Sequence, residues 1–497
     1  MADPESPYDR SFFGHPRGLS TLFFTEMWER FSYYGIRALL LLYMTADVSS
    51  GGLGMSAAIG GPIYGLFTSM AYMMALPGGW IADRLIGQRR AVLYGGLLIA
   101  AGNFSIAIPA TSLTAFYLGL ALIVCGTGLL KGNVSVIVGK LYKEHDNRRD
   151  AGFSIFYMGI NLGAFAAPLI CGKLGQQINW HLGFAAAGVG MLLGLTQYVL
   201  SGTYLGEAGK HPVPAESPDA ADRLRRNSLL VGGGLILLVA LFAGLSYSGA
   251  LPITAVQVAD AGGVFLLLLV VVFFGWLYFV AEWTPAERKR LYLIGVLFVA
   301  SALFWSVFEQ AGSTLNLFAD RNTHNVLFGW EYPSSWFQSL NSLFIFALAP
   351  VFAWLWVKLA NAGKEPSYGA KFAIGLIFVG LGFAVLIAPA GTTTATGARV
   401  SLLWLTTTYL IHTIGELSLS PVGLSAMTKL APARIAGLMM GVWFLATSVG
   451  NYMGGRVAGL YESWPLPNLF LAVAVFAVVA GLILFAFVKP MKRLLPD

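Results

Sequence analysis

Charge is scarce in this sequence. Only 11% of the 497 residues are Asp, Glu, Lys or Arg, where a soluble domain carries about 25%. That shortage excludes an ordinary water-soluble protein. Cysteine is scarcer still. Cys125 and Cys171 both lie inside apolar runs and read as packing residues, without a disulfide framework. His15, His145, His181, His211 and His324 sit at ends or in loops without metal-ligand spacing. No HExxH, no GxxxxGK[ST] and no Cys–His spacing is found, so a membrane-embedded enzyme would lack its chemistry. No metal or cofactor is expected. Runs of ten residues with alternating polarity are missing too, which argues against a barrel.

What fills the chain is apolar: 57% hydrophobic residues, with a mean hydropathy of +0.70. Fourteen stretches approach the ~20 residues that span a bilayer as a helix. They run over 19–45, 57–80, 89–108, 113–139, 151–173, 181–203, 227–248, 259–281, 290–318, 335–358, 369–390, 400–430, 434–458 and 466–489. The expected fold class is an all-α integral membrane protein. The first 18 residues are polar and do not read as a cleavable leader, so the first span is expected to stay. Of the 31 lysines and arginines, 24 fall in the tails and in the loops on the same side as the tails, four on the opposite side, and three within spans. The positive-inside rule then expects both termini in the cytoplasm of a multi-pass protein of the cell membrane, a bacterial inner membrane. The net charge of +7 thus reports topology and not a nucleic-acid partner.

In the seventh and eighth spans, NSLLVGGGLILLVALFAGLSYSG carries no charged side chain and GGVFLLLLVVVFFGWLYFVAE only Glu282, at the edge. They follow a polar linker, so they read as an insertion between two six-helix halves. The expected organisation is a tail over 1–18, a bundle over 19–203, a linker with two inserted helices over 204–289, a second bundle over 290–489 and a tail over 490–497. The loop GGWIADRLIGQRR, with Gly79, Asp83, Arg84, Gly87 and Arg90, resembles the loop signature of the major facilitator superfamily. There Asp83 and the arginines are expected to pair at the rim.

The first span holds TEMWERFSYYGIR, Thr25 to Arg37. At 100° per residue, Glu26, Glu29, Arg30, Tyr33 and Arg37 share one face, with Tyr34 beside it. An unpaired charge facing lipid costs at least ~2.5 kcal/mol, so this face must look into a wet cavity or at other charges. Two readings stay open: a static ion cluster that fixes packing, or a pathway. Three further ionisable groups lie in distant spans, namely Lys131, Glu309 and Glu416. Trp305 and Asn316 share a face with Glu309; His412 and Ser420 share one with Glu416. Pro421 should weaken the helix there. His412 either tunes Glu416 or is a packed polar residue. The buried cations lie in the first half, and the second half offers only carboxylates.

These blocks together resemble the proton-dependent oligopeptide transporters, the peptide transporter family of the major facilitators. TEMWERFSYYGIR is similar to its first-helix signature, and FSIFYMGINLGAF (Phe153 to Phe165) to its fifth. GLLKGN, FWSVFEQ, WFQSLN, GELSLSPVGLS and MMGVWFLATSVGN look like further family blocks. The resemblance implies a proton-coupled symporter of di- and tripeptides working by alternating access, as a monomer, driven by the proton gradient. It implies proton coupling at Glu26, Glu29 and Arg30. It implies an outer gate pair Arg37–Glu309 and an inner pair Lys131–Glu416. Tyr33, Tyr34, Tyr72, Asn161, Trp305, Asn341, Ser420 and Trp443 match residues that touch peptide. Animal members carry a functional histidine on the second helix, where this sequence has Gly65, which leaves coupling to the carboxylates.

The residue chemistry agrees. Arg30, Arg37 and Lys131 suit a carboxylate and Glu416 an ammonium. Asn161 and Asn341 can bond an amide in both senses. Tyr33, Tyr34, Tyr72, Trp305 and Trp443 offer broad surfaces, or taken singly are packing. A relative that carries another small anion or zwitterion, such as nitrate, is the alternative; Glu416 would repel a simple anion. A channel would favour one continuous polar pore and gives no reason for oppositely charged halves.

Overall fold

The computed structural model describes residues 11–492 except 110–112, 144–145, 215–216, 433–434 and 436–437. His145 and the outer parts of both expected tails lie outside the described residues. Fourteen long helices are present among those described. They are α1 (Gly18–Thr45), α2 (Ala57–Ile86), α3 (Gln88–Ala107), α4 (Thr114–Lys140), α5 (Arg149–Gln177), α6 (Trp180–Leu200), α7 (Pro218–Tyr247), α8 (Ala255–Val280), α9 (Pro285–Asn322), α10 (Ser334–Asn361) and α11 (Tyr368–Thr396), followed by α12 (Leu402–Leu430), α13 (Met439–Ala458) and α14 (Leu466–Lys492). Both described ends of the chain therefore emerge on one side of the bundle, here the termini side; the opposite face is the far side.

Local sequence sets the starts. Thr284 and Glu287 form a reciprocal capping box around Pro285 at the head of α9, which satisfies orphan donors where proline has none. Ser217 caps α7 by accepting from the Ala220 amide, with Pro218 behind it. The polar segment before residue 227 is thus helical, and α7 begins nine residues earlier than the apolar run. Between α9 and α10 a two-residue hairpin pairs Val326–Leu327 with Trp330–Glu331. Its turn uses Phe328 and Gly329 at positive φ, as a tight hairpin requires. No hydrophobic run announces so short a feature.

Helices α1 to α6 pack on one another, as do α9 to α14. The inserted pair sits outside both sets. No residue of α7 is buried, and α8 touches α2 and α13. One contact there escaped the sequence reading: Asp260 of α8 pairs with Arg456 of α13 at 2.6 Å. Helix α12 continues through Pro421 without a break, because neighbouring helices support a proline within a membrane bundle. Cys125 and Cys171 are both unpaired.

The rim loop differs from its expectation. Asp83 accepts a hydrogen bond from Gln88, whose carbonyl oxygen accepts from Lys140 at 3.0 Å. Arg89 instead donates to the carbonyls of Ala208 and Gly206. The loop is latched by an amide relay and by backbone oxygens of the linker, not by an Asp–Arg pair.

Candidate functional site

Helix α1 buries its charged face completely enough that Glu29 has no solvent exposure. Arg30 Nε lies 3.0 Å from Glu26 Oε1 and also contacts Glu29 Oε2. One guanidinium is therefore shared between two carboxylates, while its Nη2 remains without a hydrogen-bond partner. Lys131 of α4 projects toward the same region. Its Nζ stands 3.0 Å from the centre of the Tyr72 ring and 5.8 Å from that of Tyr33. It too has no hydrogen-bond partner, so ring faces alone hold the ammonium.

Two turns along α1, Arg37 Nη2 meets Glu309 Oε2 of α9 at 2.9 Å. Arg37 Nε donates to the Tyr64 hydroxyl at 3.3 Å. Helix α9 breaks into a 3-10 turn over Glu309–Gly312 at this point. A Cβ on Gly312 would lie 2.0 Å from the Tyr64 hydroxyl and 2.8 Å from Arg37 Nε, so only glycine admits this approach.

The hydrogen bonds that join the two helix sets cluster around and beyond this pair, toward the far side. Asn316 donates to the Ala38 carbonyl at 2.8 Å. Ser339 donates to Phe165 O at 2.8 Å and Trp336 to Leu169 O at 3.1 Å. Gln176 donates to Ser334 and Asp320 and accepts from the Ser335 amide. The α2–α13 contact is made by glycines: a Cβ on Gly455 would lie 2.3 Å from the Gly65 Cα, and one on Gly61 2.5 Å from the Gly459 nitrogen. The structure is thus closed on the far side.

Glu416 of α12 accepts from Asn341 Nδ2 at 2.8 Å, and the same amide reaches Thr413 at 3.2 Å. The expected Lys131–Glu416 pair is not formed. Each partner is held by its own half of the protein, the lysine by Tyr72 and the glutamate by Asn341. Asn161 spends its amide hydrogen on Tyr157 O, one turn back, at 3.1 Å. Trp305 and Trp443 stand edge to face at 6.1 Å, the Trp305 indole nitrogen unpartnered. Tyr34 lies against Arg37, with 5.4 Å from guanidinium carbon to ring centre. Ser420 is half-buried one turn past Glu416. His412 places Nε2 3.0 Å from the Val379 carbonyl. Since a carbonyl only accepts, Nε2 carries the hydrogen, and the histidine acts as a strut between α11 and α12.

Tyr64 and Gln176 were missed by the sequence reading. Tyr64 had a signal: Tyr64, Thr68 and Tyr72 recur every four residues on one face of α2. Gln176 had none beyond being polar at a helix end.

Two helix sets around a buried charged centre, joined on the far side by the hydrogen bonds above, define a major facilitator carrier. The POT family (PTR2) profile matches residues 89–212 and 266–488, and the chain belongs to that family. It is 42% identical to the peptide transporter YePEPT of Yersinia enterocolitica subsp. palearctica serotype O:3 (strain YE-P4), over 99% of this chain and 97% of that one. It is 35% identical to a di-/tripeptide transporter of Lactococcus lactis subsp. cremoris, over 98% of each. A crystal structure of the peptide transporter POT in complex with sulfate superposes with a TM-score of 0.92, at 43% identity and with both chains fully covered.

Proposed function

We propose that this chain imports di- and tripeptides together with protons, by alternating access, as a carrier and not a catalyst. The observation that carries the reading is the opposed and partly unsatisfied charge of the centre. Arg30 Nη2 and Lys131 Nζ lack partners on one side, and Glu416 waits on the other, held by Asn341. A zwitterion with its carboxylate on the cations and its ammonium on Glu416 satisfies both. Names of two relatives, a peptide transporter and a di-/tripeptide transporter, support the substrate class.

Coupling follows from the shared guanidinium. While Glu26 and Glu29 are charged they hold Arg30. A proton on either weakens that hold and frees Arg30 for the peptide carboxylate. Proton and peptide then favour each other's binding by linkage. The Arg37–Glu309 pair serves as the far-side gate, and the lysine and arginine excess on the termini side supports reading that side as cytoplasmic in a bacterial inner membrane. The protein works as a monomer in lipid, draws on the proton gradient and needs no cofactor.

Uptake into liposomes of purified protein tests this. An acidic exterior should drive saturable uptake of Ala-Ala, and N-acetylated and C-amidated dipeptides should compete at least about tenfold less well, since each loses one charged anchor. Equal competition by both blocked forms overturns clamping by the peptide ends.

A further inference from the structure

A second charged feature lies away from the centre, where α8 turns into α9 on the termini side. Pro285, Arg288, Lys289 and Tyr292 fall within an arc of about 100° on α9. Together with Trp283 they line an open cavity of about 250 Å³. Its walls are fixed. The Trp283 indole donates to the Leu277 carbonyl at 2.7 Å, and the Tyr278 hydroxyl to that of Leu291 at 3.1 Å. Two carboxylates flank the turn, and neither lines the cavity. Glu287 is turned back onto Thr284 by the capping box, and Glu282 belongs to the α8 side. Neither Arg288 nor Lys289 is in an ion pair among the described residues. The same stripe of α9 continues through Val296 and Val299, both exposed, and Phe279 and Val280 are exposed at the end of α8. From the head of α9 inward the stripe reads cation, aromatic, aliphatic.

We propose that this cavity binds the phosphate of an anionic phospholipid, with Arg288 and Lys289 as its ligands and an acyl chain along Tyr292, Val296 and Val299. Tryptophan and tyrosine settle at the level of the headgroups, so Trp283 and Tyr292 put the two cations at phosphate depth. A guanidinium forks a phosphate, and the ammonium beside it adds a point charge. A free phosphate finds the cations but leaves the apolar half of the stripe unused. A zwitterionic lipid brings an ammonium next to its phosphate, which Arg288 and Lys289 repel. An anionic lipid has neither defect, and basic pockets beside membrane helices at this depth suit such headgroups. The inference does not depend on what the protein carries.

Lipid retention by the purified full chain in detergent tests it. Phosphatidylglycerol is added with phosphatidylcholine as the zwitterionic reference, and bound lipid is counted by native mass spectrometry. The wild type should retain phosphatidylglycerol over phosphatidylcholine by roughly tenfold or more, the combined pull of two cations. The double variant Arg288→Gln, Lys289→Gln should bring that ratio below about threefold on the same reckoning. Arg223→Gln with Arg225→Gln removes the same charge from the exposed termini-side end of α7, outside the cavity, and should leave the ratio as it is. The exchange Arg288→Lys, Lys289→Arg keeps both charges and should restore most of it. Excess inorganic phosphate should not displace the lipid, which also has its chains to hold it. No preference in the wild type, or equal loss in the two charge-removing variants, overturns the site and leaves only a general surface attraction. Displacement by inorganic phosphate overturns the lipid and makes the occupant a free anion.

Discussion

Arg30 faces two carboxylates with one guanidinium, and that imbalance is the residue-scale basis of coupling. Glu29 is fully shielded from solvent, and Arg30 is the cation it contacts. Gln at this position mimics the protonated acid permanently. Glu29→Gln should therefore still exchange peptide down its own gradient while losing uphill accumulation. One pH unit supports up to about tenfold accumulation per proton; the variant should stay near onefold, with counterflow as the control. Accumulation at wild-type level would move coupling to Glu26 or Glu309. Most of this centre was legible in the sequence, because an ionisable residue within an apolar run has few reasons to be there. Partners were less legible. That Lys131 rests on Tyr72 while Glu416 takes Asn341 depends on which side of the cavity each helix occupies in the far-side-closed state, and no spacing along one chain encodes that.

At the scale of elements, the hydrophobic runs located all fourteen helices, since a span must be long and apolar whatever it packs against. They did not locate breaks and contacts. The 3-10 turn at Glu309–Gly312 and the glycine seam between α2 and α13 are set by close approach of distant elements. The seam makes a sharp prediction. Gly65 and Gly455 bring two backbones together across the far half, and a methyl group on either meets main chain, which cannot yield as a flexible side chain can. Overpacking of this kind costs about 1–3 kcal/mol, all of it in the far-side-closed state. Gly455→Ala, and separately Gly65→Ala, should shift the protein toward far-side opening by roughly fivefold or more and slow uptake accordingly. Ser313, 1% exposed here, offers the readout. A cysteine placed there, with Cys125 and Cys171 replaced, should react faster with a reagent added from the far side in either variant. Unchanged labelling would remove the seam from the gate.

For the whole molecule, the balance of buried charge has an electrical consequence. Three cations, Arg30, Arg37 and Lys131, share the centre with four carboxylates, Glu26, Glu29, Glu309 and Glu416. Empty, the centre carries one net negative charge. Loaded with one proton and a zwitterion, it carries none. A membrane potential does work only on charge that crosses its field, at most ~2.3 kcal/mol per charge per 100 mV. The loaded protein, reorienting inward, is therefore blind to voltage, while the empty protein, returning outward, is pushed by an interior that is negative. Net uptake in liposomes clamped with a potassium ionophore should quicken several-fold as the interior is made more negative, and peptide exchange, which never uses the empty return, should not change. Voltage would then act as the spring that resets the carrier after its cargo has left.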